Sequence, residues 1–247
     1  PYRVTARGEI RKGALSSNGL VTLAGDLTLN ESLALLSRQE LIWTERLQGE
    51  DLKESRRVWS LWGLAYRPLG SSTVSTLMKL EWKDDEDPGG AGVMNTPGRD
   101  RRLIATAEGI WTPSARVEVG GRYSFRRAKR TDPLGIAAGG YTANTTADYV
   151  GAKGEVALFG PFAVRLDLRL LNERLSRTRE WDVAPSVLLE MPGGIRLQGG
   201  YRFGSLQDPD FAVRSGKGAF LNIGTRVSEN LIKDLAGFWR DRLAGAH

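Results

Sequence analysis

The only histidine of the chain is its last residue, His247, and there is no cysteine. A Ser-His-Asp triad, a histidine general base or a multi-histidine metal site would rest on that one terminal side chain. Zinc fingers, iron–sulfur sites, disulfide scaffolds and thiol nucleophiles are excluded. The chemistry left is that of carboxylate and guanidinium. Asp84, Asp85, Glu86 and Asp87 form a run able to hold a hard cation. They lack the spaced ligands and glycine of a calcium loop, so the expectation is a solvated outer loop. Glu40 and Glu81 are of the right type for acid and base work, yet nothing in the sequence brings them together. Gly89-Gly90-Ala91-Gly92 does not lie between a strand and a helix, so phosphate binding is unsupported. The expectation is a chain with no catalysis, no metal and no cofactor.

Composition narrows the class. At 247 residues, 40% hydrophobic and 26% charged, the chain is too apolar to be disordered and is long enough for one large barrel. Thirty-five Lys plus Arg against 29 Asp plus Glu give a net charge of +6, spread along the chain, so no nucleic-acid partner is expected. No stretch approaches the ~18 apolar residues of a transmembrane helix. The chain opens at Pro1 without a methionine or a basic and apolar leader, so the expectation is a processed protein or a piece of a longer one.

The dominant period is two. Phe162, Val164, Leu166, Leu168 and Leu170 alternate with Ala163, Arg165, Asp167 and Arg169. Tyr2, Val4, Ala6, Gly8 and Ile10 alternate in the same way with Arg3, Thr5, Arg7, Glu9 and Arg11. About twelve such strands are predicted, near 2–11, 20–30, 33–46, 57–67, 73–83, 102–112, 115–127, 146–158, 162–173, 179–191, 195–203 and 218–228. Each is close to the ~9–11 residues that a tilted strand needs to cross a bilayer. Short turns are expected at 30–32, 68–72, 113–114, 160–161 and 192–194. Longer polar connections are expected at 47–56, 84–101, 128–145, 172–178 and 204–217. Short turns on one side and long loops on the other characterise an up-and-down barrel of an outer membrane. With an even strand number both termini fall on the short-turn, periplasmic side.

Aromatic residues mark the strand ends. Tyr66, Trp111 and Phe162 lie beside short turns, and Trp82, Tyr123, Trp181 and Tyr201 lie toward long connections. Two such bands suit the membrane–water interfaces. From Asn230 the period becomes helical, with Leu231, Leu235, Phe238 and Trp239 on one face, which predicts a periplasmic amphipathic helix that docks on a surface or partner. The domain division is thus a barrel over 1–228 and a helical tail over 229–247.

The polar face of the strands is ionic. Arg3, Arg7, Arg38, Glu40, Lys79, Glu81, Arg116 and Glu118 all lie off the apolar face. So do Arg122, Lys153, Glu155, Arg165, Asp167, Arg169, Arg196 and Arg202. In a membrane barrel these side chains point into the lumen, where a mixed-sign network closes the interior or lines a slender, anion-favouring channel. In a soluble ligand-binding barrel the same face would meet solvent and the apolar face would be the core.

The segment Gly200-Tyr201-Arg202-Phe203, Asp208-Pro209-Asp210-Phe211 and Gly218-Ala219-Phe220-Leu221-Asn222-Ile223-Gly224 carries a resemblance. It resembles the closing hairpin of barrel domains at the C-terminal end of very large, repeat-bearing bacterial surface and outer-membrane proteins. The strand–turn–strand run from Trp111 to Gly121 is similar too. The resemblance implies a membrane-anchoring barrel of a Gram-negative-type outer membrane, whose upstream domains or protein partners carry the visible activity. Such barrels usually end in an aromatic on the last strand, whereas this chain runs past Val227 to His247, which marks its C-terminus for a further role.

Overall fold

The computed structural model describes residues 2–14, 16–48, 51–69, 73–87, 98–132, 140–191, 195–208 and 210–225. The described residues are all β, with no helix among them. The strands are β1 (Tyr2–Lys12), β2 (Ser16–Asn30), β3 (Leu33–Gln48), β4 (Asp51–Tyr66) and β5 (Val74–Asp87). They continue as β6 (Gly98–Ser114), β7 (Val117–Asp132), β8 (Tyr141–Ala157), β9 (Phe162–Glu173) and β10 (Thr178–Met191). The last four are β11 (Ile195–Arg202), β12 (Leu206–Asp208), β13 (Val213–Ser215) and β14 (Gly218–Thr225). Twelve of them make one sheet in the order β1 to β11 and then β14, and β12 pairs with β13 alone. Every pairing with a described register is antiparallel, as period-two strands joined by tight turns require.

Local chemistry sets the turns. Asn30 Oδ1 accepts the Ser32 N–H at 2.9 Å and closes the β2–β3 turn, while the Arg67 N–H donates to the Ser32 carbonyl at 2.7 Å. At the β8–β9 turn the Leu158 N–H donates to Phe162 O at 2.9 Å, and Gly160 takes φ +54°, a conformation that a side chain disfavours.

The chain divides into two compact units. The first holds Pro1–Trp111, Gly120–Gly151 and Leu170–Arg179; the second holds Thr112–Val119, Ala152–Arg169 and Glu180–His247. In the first unit the ladders run without a crossover from β1 through β6. In the second, β10, β11 and β14 pair in turn, and the 204–217 segment folds on itself.

Three expectations change. Within the 47–56, 84–101 and 128–145 connections every described residue but Gly140 is strand: β3 and β4 stay in register to Gln48↔Asp51, and β5 and β6 to Asp87↔Gly98. Polar residues extend a ladder as well as apolar ones where opposite charges meet across it, as Arg57 and Asp85 do at 2.7 Å. The 204–217 loop contains the β12–β13 hairpin, because Leu206, Phe211 and Val213 are buried, and Asp208 Oδ1 accepts the Asp210 and Phe211 N–H groups at 2.9 and 3.2 Å. The 113–114 turn moves to 115–116, with Pro113 and Ser114 still inside β6. Among the described residues β1 and β14 are the two ends of the sheet order and do not pair, so the closed barrel is not seen. Alternation fixes which face of a strand is apolar; it carries no information about which strand meets the last one. The predicted helix over 229–247 lies outside the described residues.

Gly200 marks a close approach in β11: a Cβ there would stand 2.7 Å from Ser186 Cβ and overlap the Pro185 carbonyl. Gly121 has open space around its Cβ position. Gly200→Val is therefore expected to destabilise the detergent-folded chain by the ~1–3 kcal/mol typical of overpacking, read as a lower urea midpoint. Gly121→Val should leave it nearly unchanged.

Candidate functional site

The burial of β9 reverses the ordinary rule. Leu166 is 43% exposed whereas Asp167, its neighbour in the chain, is 7% exposed. Along the strand Phe162, Val164, Leu166, Leu168 and Leu170 are exposed, while Ala163, Asp167 and Leu171 are buried. Strand β10 repeats this, with Asp182, Ala184, Ser186 and Leu188 buried and Trp181 and Val187 exposed. The candidate site is therefore a whole face: a sheet side crowded with charge, backed by an exposed apolar side.

Directly paired residues of an antiparallel ladder share a face, so register tests the sequence assignment in the first unit. Arg3↔Asp26, Arg7↔Thr22, Thr22↔Glu40, Arg38↔Leu61, Leu61↔Glu81 and Lys79↔Thr106 put Arg3, Arg7, Arg38, Glu40, Lys79 and Glu81 on one side. Trp59 stands at its centre. Its Nε1 donates to Glu81 at 3.3 Å, and the Arg38 guanidinium and Lys83 ammonium lie 5.0 and 5.7 Å from its ring centroid. Arg38 also pairs with Glu40 at 2.8 Å. Further along, Lys79 and Arg122 share Glu108 at 2.8 and 3.9 Å, and the buried Thr106 and Ser124 hydroxyls bond at 3.0 Å. On β1 both faces are exposed, and Glu9 bridges Arg7 and Arg11.

In the second unit the network is denser. Lys153 pairs with Glu118 at 2.6 Å, Arg196 with Glu155, and Arg165 with Asp167 through two bonds of 2.8 Å. Asp182, 1% exposed, takes Arg202 at 3.0 Å and Arg169 at 3.8 Å, and Arg202 also covers the Phe220 ring at 4.8 Å. Gln198 donates to the buried Ser186 hydroxyl at 2.9 Å. Arg116 is the exception among the sequence-derived set: it sits exposed in the 115–116 turn, outside any strand.

The apolar side carries the aromatics. Tyr66, Trp82, Trp111, Tyr123, Phe162, Trp181 and Tyr201 are all exposed. Tyr66 and Trp82 share their side with Trp62, Leu64, Met78 and Leu80 by register. Toward the long-connection end this side turns ionic. Asp84 receives two Arg99 bonds at 2.7 and 2.6 Å and Arg101 at 3.5 Å, and Asp85 takes Arg57 of β4 at 2.7 Å, so these two carboxylates of the run are paired rather than left free. No cation-holding cluster of carboxylates occurs among the described residues. Asp148 accepts Tyr123 Oη at 2.9 Å and Arg174 Nε at 2.8 Å, and this bond raises the Arg174 pKa above its ordinary value. Leu231, Leu235, Phe238 and Trp239 lie outside the described residues.

Sequence reasoning missed Trp59, Glu108 and Asp182. Parity held the signal: Asp182 shares its phase with Ala184 and Ser186, and Glu108 with Thr106 and Ile104. Trp59 was hidden because an aromatic reads as apolar-side.

The sequence matches no protein-family model and no curated protein. Among solved structures the chain is similar to the ferric enterobactin receptor of Pseudomonas aeruginosa, crystallised with enterobactin, with a TM-score of 0.63 at 10% identity. That match covers 92% of this chain and 42% of the receptor, so the chain spans less than half of the receptor's length. A β domain of the Bordetella autotransporter BrkA aligns over 90% of this chain and 93% of its own, at 14% identity and a TM-score of 0.35. The class defined by the first match is a fold: the antiparallel meander sheet of an outer-membrane barrel.

Replacing Asp182 with Ala leaves Arg169 and Arg202 facing a buried gap. The expected loss is about 3 kcal/mol or more in a denaturant titration of the folded chain. Glu9→Ala, which removes an exposed pair, should leave the same transition nearly unmoved.

Proposed function

We propose that this chain is a β-barrel of a bacterial outer membrane, acting as the structural membrane anchor of a larger protein or assembly and catalysing nothing itself. The inverted burial of β9 and β10 carries the reading. In water each exposed Leu or Phe would forgo roughly 1.5–3 kcal/mol of burial. Lipid covers such a face without a second protein layer, and pairing of β1 with β14 would leave no open edge in that lipid. The sheet fold shared with an outer-membrane receptor supports the same reading. Under it the polar side lines the lumen, the aromatics stand at the interfaces, and both termini are periplasmic. The partners are the bilayer and the upstream domains or proteins that the barrel holds.

Anchor is favoured over pore because charges of both signs are tied across the polar side, as in Lys153–Glu118, Arg196–Glu155 and Arg169–Asp182–Arg202. The alternative is a narrow, arginine-lined channel, favoured by the exposure that Arg7 and Arg38 keep on that side, at 69% and 47% of their side chains. A soluble ligand-binding barrel would need the apolar side as its core, and that side is the exposed one.

In a planar bilayer the refolded chain should insert without discrete conductance steps. Steps would promote the channel, and failure to insert would overturn both membrane readings. Leu166→Arg, which places a cation on the apolar side, should weaken insertion into vesicles by roughly 2–4 kcal/mol if it sits near the midplane. Deleting the barrel from the assembly that it belongs to should release that assembly from cells, and retention would contradict the anchor.

A further inference from the structure

We infer that the long-connection end of the apolar side, in the first unit, binds the phosphate groups of a phosphorylated lipid headgroup through Arg127, Lys129 and Arg174. The inference rests on the membrane reading above. Strand alternation puts Tyr123, Arg127 and Lys129 on one side of β7, and all three are exposed. Two contacts to β8 bracket the cations: Tyr123 Oη to Asp148 at 2.9 Å below them, and Thr131 to Thr142 at 3.5 Å above. Arg174 joins from just beyond β9. Its backbone N–H donates to Thr146 O at 2.9 Å and its Nε to Asp148 Oδ2 at 2.8 Å, yet its side chain stays 61% exposed.

The arrangement has the chemistry of an anion site. Three cations stand against one carboxylate, and that carboxylate is already engaged by a phenol and a guanidinium. Neither Arg127 nor Lys129 has an ion-pair partner among the described residues. Asp148 pins Arg174 at Nε and leaves the outer nitrogens of its fork to chelate phosphate oxygens, so little side-chain freedom remains to be lost on binding. The position of the cluster selects the source of the phosphate. Exposed Tyr123, Val150 and Leu170 lie on the same side, toward the middle of the sheet. A ligand that meets the cations and covers those residues is an amphiphile with its phosphates at headgroup depth. Free phosphate would use the cations alone.

The test compares the wild-type chain with the triple variant Arg127→Ser, Lys129→Ser, Arg174→Ser. Both should insert equally into neutral phosphatidylcholine vesicles, which isolates headgroup binding from folding and insertion. Binding of diphosphoryl lipid A to each detergent-folded protein is then measured by native mass spectrometry. The wild type should bind about tenfold or more tightly than the variant. Lipid A stripped of its phosphates should not distinguish the two proteins. Equal affinity of both proteins for the phosphorylated lipid would overturn the inference while the membrane reading stands. Displacement of the lipid by inorganic phosphate at equal concentration would overturn it too, in favour of a free-anion site. Failure of the wild type to enter phosphatidylcholine vesicles would overturn the membrane reading and this inference with it.

Discussion

One constraint organises this chain: charged side chains recur on one side of several strands, as at 79, 81 and 83 or 165, 167 and 169, and each such charge must meet water or a partner. A carboxylate left alone in a dry interior costs several kcal/mol, far more than any single apolar contact returns. The sheet answers with pairs and short networks on one side, and Asp182, almost wholly buried between Arg169 and Arg202, is the extreme case. Placing the charges on one side forces Leu, Val and aromatic residues to the other. The inverted burial of β9 is thus the consequence of satisfying its charges, not a separate design feature.

The same constraint explains how the strands outgrow their apolar stretches. Beyond Trp82 the ladder continues through Asp84, Asp85 and Glu86, with Asp84 tied to Arg99 and Arg101 of β6 and Asp85 to Arg57 of β4. At close approaches the demand is steric instead. Gly19 lies under the Trp43 indole and Gly200 against the β10 backbone, so these glycines permit contact that a side chain would block.

Much of this was legible in the sequence because period two is unusually clean here. Both boundaries of β9 match the predicted 162–173. The strand ends toward the long connections were not legible, since Asp84 and Asp85 read as loop until their arginine partners on β6 and β4 are known. Trp59 was missed because its amphipathic ring serves cations on the polar side, and Arg116 was misplaced by a two-residue error in the turn. The β12–β13 hairpin escaped because its buried residues, Leu206, Phe211 and Val213, are too few and too unevenly spaced to form a period. Closure of the sheet is a long-range property that no local pattern encodes.

If the chain spans a bilayer, the exposed apolar side meets lipid and the charged side does not. The chain has no cysteine, so single cysteines introduced from 163 to 170 can each carry a nitroxide without a background signal. The measurement is collision accessibility of those labels in vesicles to oxygen, which concentrates in lipid, and to a water-soluble nickel chelate. Oxygen maxima are expected at Val164, Leu166, Leu168 and Leu170, alternating with minima at Arg165, Asp167 and Arg169. Nickel maxima at the Val and Leu positions, or no alternation at all, would contradict it.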